Sequence, residues 1–426
     1  MTIRNNPLNF NDTSSQLSSS DSSRSIVSGF TKEQLILINL KDLAQEYLEI
    51  EQLKQKFSKI LLANLNSLNF EEFLKYPNYD IKENFLIQNV TASNIRGLNV
   101  VSVDGSSVVK KFMNVDFSFL KAIAVKYYFY KNQSSKIEYF PDISGFNNYN
   151  VQGTYLNREE NAVDARISMD MTFMEINLLN KLIEKESDIN LMIIDGSVVI
   201  MPINLIFAKD SELSKKYDKL LKEYQKLYSN CNERGIILIG SIKDTRTSAL
   251  TNLIRSSIQM LKPNTIILPE FLKINYRQIM DYFSDLDLFN RILKKSERSC
   301  IFNCKRDLEK IRDTGIKKEI PYYFPHAFYA FYLKTAIHDT PCRIEFFMNE
   351  KHSLKEASEK ADLISSILLP ISSLNEFYGL PIPQIEAHRR AVFKPQEINL
   401  LFNNLSRTLS SYGVSLLEKR RTRRPF

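Results

Sequence analysis

The chain has 426 residues, of which 43% are hydrophobic and 25% charged, an ordinary make-up for a globular protein of one elaborated domain or two smaller ones. Five of its eight net positive charges come from Lys419, Arg420, Arg421, Arg423 and Arg424, so the body before that tail is close to balanced. No run reaches the ~18 to 20 apolar residues of a membrane span, and no apolar secretory core opens the sequence. Four cysteines without repeating spacing exclude a disulfide framework and point to reduced thiols in a cytoplasmic setting, with Cys300 and Cys304 as packing residues.

Residues 1–29 are rich in Ser, Asn and Asp and read as a disordered tail. A helical region follows over 30–90. Its main element is one long amphipathic helix from a Thr31 cap to about residue 66, built on Leu35, Ile38, Leu43, Tyr47, Leu53, Phe57 and Leu61. From 85 to 140 the pattern turns to β. An apolar run ends in Asp104, Gly105 and Ser106, after which strands over 107–112 and 117–130 complete an antiparallel meander. Residues 157–185 predict a helix carrying Glu175, and a second apolar strand over 189–194 empties into Asp195, Gly196 and Ser197. A charged helix over 211–232 and a buried strand over 235–240 lead to a loop with Lys243 and Arg246. Short helices, two strands over 321–333 and 343–347, and helices over 354–373, 383–393 and 396–411 complete the order, with the basic tail over 418–426. A mixed α/β sheet with helices on its faces accounts for this alternation.

Asp-Gly between two β-rich runs is a strong hairpin signal, so each Asp-Gly-Ser has a plain turn as its simplest reading. Two carboxylates at the ends of buried strands ask for more, because an unpaired buried charge costs several kcal/mol. A divalent cation is the simplest partner for converging acids, and hard Mg²⁺ or Mn²⁺ prefers oxygen ligands. Asp104, Asp195 and Glu175 are the candidate arms. Glu159, Glu160 and Asp170 stand on the same stretch as Glu175. His388, in the last third of the chain, is a candidate ligand or proton shuttle. Such a set suits phosphodiester hydrolysis.

The order of these elements, two Asp-Gly-Ser segments, a helical Glu between them, Gly-Ser-x-Lys, and GLPIPQIEAHRR over 379–390, resembles the NurA family of DNA-end nucleases from about residue 90 to 410. The resemblance implies an RNase H-like nuclease domain with helical insertions over 91–417. It makes Asp104, Glu175, Asp195 and His388 catalytic and metal-binding residues, with Mn²⁺ or Mg²⁺, two ions, as cofactor. It also implies 5′–3′ exonuclease and single-strand endonuclease activity on DNA, a homodimer, and a hexameric HerA-type ATPase as partner in double-strand-break end resection. Lys243 and Arg389 are candidate DNA contacts, whereas Arg246 and Arg390 read as solvated charges. One departure stands out: many members carry a Tyr where this chain has Leu380, with Tyr378 two residues earlier. An actin-like phosphotransferase is disfavoured by the scarcity of glycine. A non-catalytic scaffold of the same fold that grips DNA or the ATPase is the alternative.

Overall fold

A computed structural model describes residues 32–76, 78–130, 134–141, 149–155, 160–200, 211–261, 267–304, 326–349 and 351–417. The expected Ser-rich tail, the Thr31 cap, Glu159 and the basic tail lie outside the described residues. The chain divides into two compact units, residues 1–55 and 56–426. In the first, the described residues belong to α1 (Lys32–Ala63), on which Leu37, Leu40, Leu43, Tyr47 and Leu48 are exposed. The residues of α1 beyond 55 belong to the second unit, where Phe57 and Leu61 are fully buried and Phe57 meets the rings of Phe271 and Phe283.

The second unit is built on one mixed sheet. Its strands are β1 (Ile87–Asn89), β2 (Asn99–Lys111), β3 (Val115–Tyr128), β4 (Lys136–Phe140), β5 (Tyr149–Tyr155), β6 (Leu191–Asp195), β7 (Ile237–Ile242), β8 (Glu297–Ser299), β9 (Phe302–Asn303), β10 (His326–Lys334) and β11 (Cys342–Asn349). They lie in the order β1-β8-β10-β11-β7-β6-β2-β3-β4, with β5 on β3 and β9 on β10. At its centre β2, β6 and β7 run parallel, while β3 is antiparallel to β2. The helices after α1 are α2 (Glu71–Leu74), α3 (Glu160–Lys185), α4 (Ser211–Glu233), α5 (Ala249–Met260), α6 (Ile267–Lys273), α7 (Tyr276–Met280), α8 (Asp285–Ile292), α9 (Leu354–Ser372), α10 (Ile382–Ala391) and α11 (Pro395–Ser411).

Side chains alternate across a strand, so each strand feeds two cores. On one face Val100, Leu191, Ile193 and Ile239 pack with Ala357, Ala361 and Ile364 of α9, and Ile123, Val125 and Tyr127 pack with Ala387 of α10. On the other, Leu120 packs with Val163 and Ile167 of α3, and α4 lies against α3 and β7. Small Ala387 and Ala391, both fully buried, let α10 approach the sheet closely.

One expectation is overturned. No strand ends at Asp104: β2 runs unbroken from Asn99 to Lys111, and the predicted separate strands over the apolar run and 107–112 are one. The reason is the register with β3, which pairs every residue from Asn99↔Tyr128 to Lys111↔Asp116 and holds Asp104-Gly105-Ser106 extended. The second Asp-Gly-Ser does end its strand.

Away from the site, Arg298 on β8 is 1% exposed and held bidentately by Glu83 at 2.7 Å through both nitrogens, with Asp362 of α9 at 2.6 Å. Removing one partner of such a pair strands a buried charge. Arg298→Ala is therefore expected to cost roughly 3–5 kcal/mol in urea denaturation; a loss below ~1 kcal/mol, the scale of a surface pair, would contradict the burial argument.

Candidate metal centre

Asp104 lies opposite Ile123 in the β2–β3 ladder, and Gly105 lies opposite Ala122. Directly paired residues share a face, so Asp104 points to the side of α10 and Gly105 to the side of α3. His388 of α10 meets Asp104, with Nδ1 2.7 Å from Oδ2. Glu175 of α3 meets Gly105 so closely that a Cβ there would stand 2.4 Å from its Oε1. Adjacent residues thus serve both faces, and the glycine is required for space rather than for a turn.

Asp195 arrives by another route. It is the last residue of β6, level with Ser241 of β7, and Gly196 follows at φ +137°, a conformation that favours glycine. Because β6 runs parallel beside β2, the two aspartates come together from residues 91 positions apart in sequence. Asp195 Oδ2 accepts from Lys243 Nζ at 2.7 Å, and Oδ1 accepts from Gln384 Nε2 at 3.0 Å. Ligand atoms of Asp104, Asp195 and His388 all lie within 4.8 Å of one another. Glu175 is outside that trio but within its electrostatic reach, and with Asp195 it lines a cavity of about 210 Å³ together with Thr172, Ser197 and Tyr224.

Asp104 and Glu175 both resist ionisation. Burial, then the charges of Asp104 and Asp195, push the Glu175 carboxyl well above its usual range. Burial and the Asp195 charge raise Asp104, against the lowering effect of His388 and the Gly105 amide. Lys243 stays above its ordinary value: burial works against its charge, but the bond to Asp195 outweighs it. A mostly oxygen donor set with one imidazole, gathered at a point of negative potential, fits Mn²⁺ or Mg²⁺.

The other named residues fall elsewhere. Asp170 is tied to Lys216 and to Arg166, and the side chain of Glu160 is not described. Lys243, expected along a DNA path, is bonded to Asp195 of the acid cluster. Arg389 is largely exposed and reaches Glu386 at 3.1 Å; Arg390 also binds Glu386 and lies over the Tyr139 ring. Leu380 is 7% exposed within the core, so its position is one of packing. Sequence reasoning missed three contributors. Gln384 stands one helical turn before His388, a spacing that puts both on one face of α10. Glu386 sits three and four residues before Arg389 and Arg390, the spacing of helical ion pairs. Glu345 accepts from Ser197 Oγ and pairs with Arg343 at 2.7 Å, and nothing local in β11 announces it.

The sheet order, an antiparallel β2–β3–β4 meander followed by β6 and β7 parallel to β2, is RNase H-like, and its carboxylates gather where the central strands meet. The NurA domain profile matches residues 98–393. The chain belongs to the NurA nuclease family. No curated protein matches its sequence. The crystal structure of the NurA nuclease from Sulfolobus solfataricus aligns at TM-score 0.50 and 14% identity, covering 90% of this chain and 98% of that one. A NurA structure with dAMP and manganese aligns at TM-score 0.38 and 12% identity, covering 86% and 95%. Another with manganese aligns at TM-score 0.36 and 12% identity, covering 76% and 91%.

Two outcomes follow from this packing. Gly105→Ala is expected to displace Glu175 and lower stability by about 1–3 kcal/mol, as overpacking does; unchanged stability would contradict the close approach. In chelator, the folded state holds protons on Asp104 and Glu175 that the unfolded chain releases, so these groups make stability fall as pH rises from the ordinary carboxylate range of about 4 towards neutrality. Glu175→Gln removes part of that fall. Urea melts across this range that give both proteins the same pH slope would show that Glu175 ionises freely.

Proposed function

We propose that this chain is a metal-dependent deoxyribonuclease. The observation that carries the reading is the convergence of Asp104, Asp195 and His388 from β2, β6 and α10 to within 4.8 Å. Asp104 and Asp195, with Glu175 behind them, would hold Mn²⁺ or Mg²⁺, two ions in the reading the resemblance implies. Such a cation supplies charge to the scissile phosphate and lowers the pKa of a water.

The chain's own residues supply the rest. His388 Nδ1 is engaged by Asp104, so Nε2 is the nitrogen that takes a proton from the attacking water, and the half-exposed side chain leaves it reachable. Gln384 fixes the Asp195 carboxylate in orientation, and Lys243 balances its charge beside the site. Arg389, exposed on the same helix as His388, would meet a phosphate.

Family membership extends the proposal. The nuclease domain would span 91–417, act as a homodimer on duplex ends and single strands with 5′–3′ exonuclease and single-strand endonuclease activity, and serve double-strand-break resection with a hexameric HerA-type ATPase. Four buried cysteines with no disulfide among them suit the reducing cytoplasm for such work. Among the described residues, no helix is long and apolar enough to cross a membrane.

The test uses end-labelled single-stranded and duplex DNA. Cleavage should require Mn²⁺ or Mg²⁺, stop in chelator, and be abolished in Asp104→Asn and Asp195→Asn; His388→Ala should lose about 10²–10⁴-fold in kcat. Undiminished cleavage in either aspartate variant would remove the assignment, and DNA binding without cleavage by the native chain would leave the scaffold reading in its place. Independently of activity, Mn²⁺ at a hundred times its Kd should stabilise the native protein by about 2.7 kcal/mol and Asp195→Asn by much less. Equal stabilisation of both proteins would place the ion elsewhere.

A further inference from the structure

Between α9 and α10 the chain turns through residues 373–381 and leaves three large apolar side chains in solvent: Leu374 is 74% exposed, Phe377 71% and Tyr378 45%. An isolated exposed ring needs no explanation, but these sit on a turn that is firmly held. The Phe377 amide donates to Asn375 Oδ1 at 2.8 Å, and the Gly379 amide donates to Asp339 Oδ2 at 2.6 Å. The His338 amide donates to Glu376 O at 2.8 Å, and Thr335 Oγ1 donates to Gly379 O. The turn is thereby pinned to the β10–β11 connection, and the Phe377 ring stacks on the His338 imidazole, centroids 4.8 Å apart at 22°. One ring face is backed; the exposure of Phe377 lies on what remains.

The same turn leads into the acid cluster. Tyr378 lines a cavity of about 90 Å³ with Lys243, Asp244 and Leu380, and Lys243 Nζ is the group bonded to Asp195. Five residues beyond Gly379, Gln384 binds the other oxygen of Asp195. A flat aromatic face held in place, with a second ring and a lysine beside the proposed metal site, suits an unpaired strand: bases stack on the rings while the backbone runs towards the carboxylates. A duplex offers a free base face only at its ends.

We propose that Phe377 and Tyr378 form a base-stacking platform that receives unpaired nucleotides of a single strand next to the site. The inference rests on the proposed reading that DNA is brought to Asp104 and Asp195, and it names the form of DNA that is gripped. Phe377 is the residue to change, because it is exposed, backed by one ring, and outside the acid cluster. Its replacement tests stacking without touching the carboxylates or Lys243.

The experiment measures binding in chelator, where nothing is cleaved. Fluorescence anisotropy compares oligothymidylate with an abasic oligomer of equal length, which keeps the phosphates and lacks the bases. The native chain should bind oligothymidylate more tightly. Phe377→Ala should lower that affinity roughly ten-fold, the scale of one stacked base, and leave abasic affinity unchanged, while Phe377→Trp should restore it. Circular dichroism establishes that both variants are folded. Native-like oligothymidylate affinity in Phe377→Ala overturns the proposal, as does an equal loss for both oligomers. A change of mass by light scattering with unchanged affinity overturns it too, and makes the patch a protein contact. A chain that prefers oligothymidylate in chelator but never cleaves with Mn²⁺ would sink the nuclease reading and leave the platform standing.

Discussion

Like charges are brought together inside this fold at a cost that only a positive charge offsets. Asp104 and Glu175 are nearly buried; the Asp195 charge raises the free energy of ionising Asp104, and both aspartates raise that of Glu175. Lys243 and His388 supply part of the compensation, through Asp195 and Asp104 respectively. Among the described residues neither is hydrogen-bonded to Glu175, and the influence that lowers it is the Gly105 amide. A protein that gathers acids in this way has high local affinity for a multivalent cation. Its folding stability without one should be lower than the quality of its cores would suggest.

The period of two along a strand is what makes the gathering possible. β2 carries Asp104 towards α10 and the bare backbone of Gly105 towards α3, so that two helices on opposite sides of the sheet converge on consecutive residues. β6, beside β2 in parallel register, presents Asp195 to the same side as Asp104, with Ile193 and Leu191 of the same parity in the core below α9. α10 then closes the site. Its Gln384 and His388, one turn apart, reach Asp195 and Asp104, while Glu386 turns away to Tyr139 and fixes the helix against β4.

Much of this was readable from the sequence because periodicity and apolar runs are local. α3, α4, α9 and α11 fall within a few residues of their expected bounds, and the apolar runs before Asp195 and after Gly235 are buried parallel strands. The repeated Asp-Gly-Ser misled at one of its two copies. Gly196 makes a turn, but Gly105 is extended, and no local pattern distinguishes a glycine that supplies positive φ from one that makes room for a distant glutamate. Glu345 was invisible for a similar reason: its partners are Arg343 on its own strand and Ser197, which lies 148 positions away. In the sequence Lys243 is a basic loop residue, and the adjacency of β6 and β7 makes it the partner of Asp195.

If Asp104 and Asp195 share a cation, crystals grown with Mn²⁺ and measured at its absorption edge should show an anomalous peak between β2 and β6, within coordination distance of an oxygen of each aspartate. A saturating soak that leaves that position empty, or that places manganese only at other carboxylates, would contradict a shared cation.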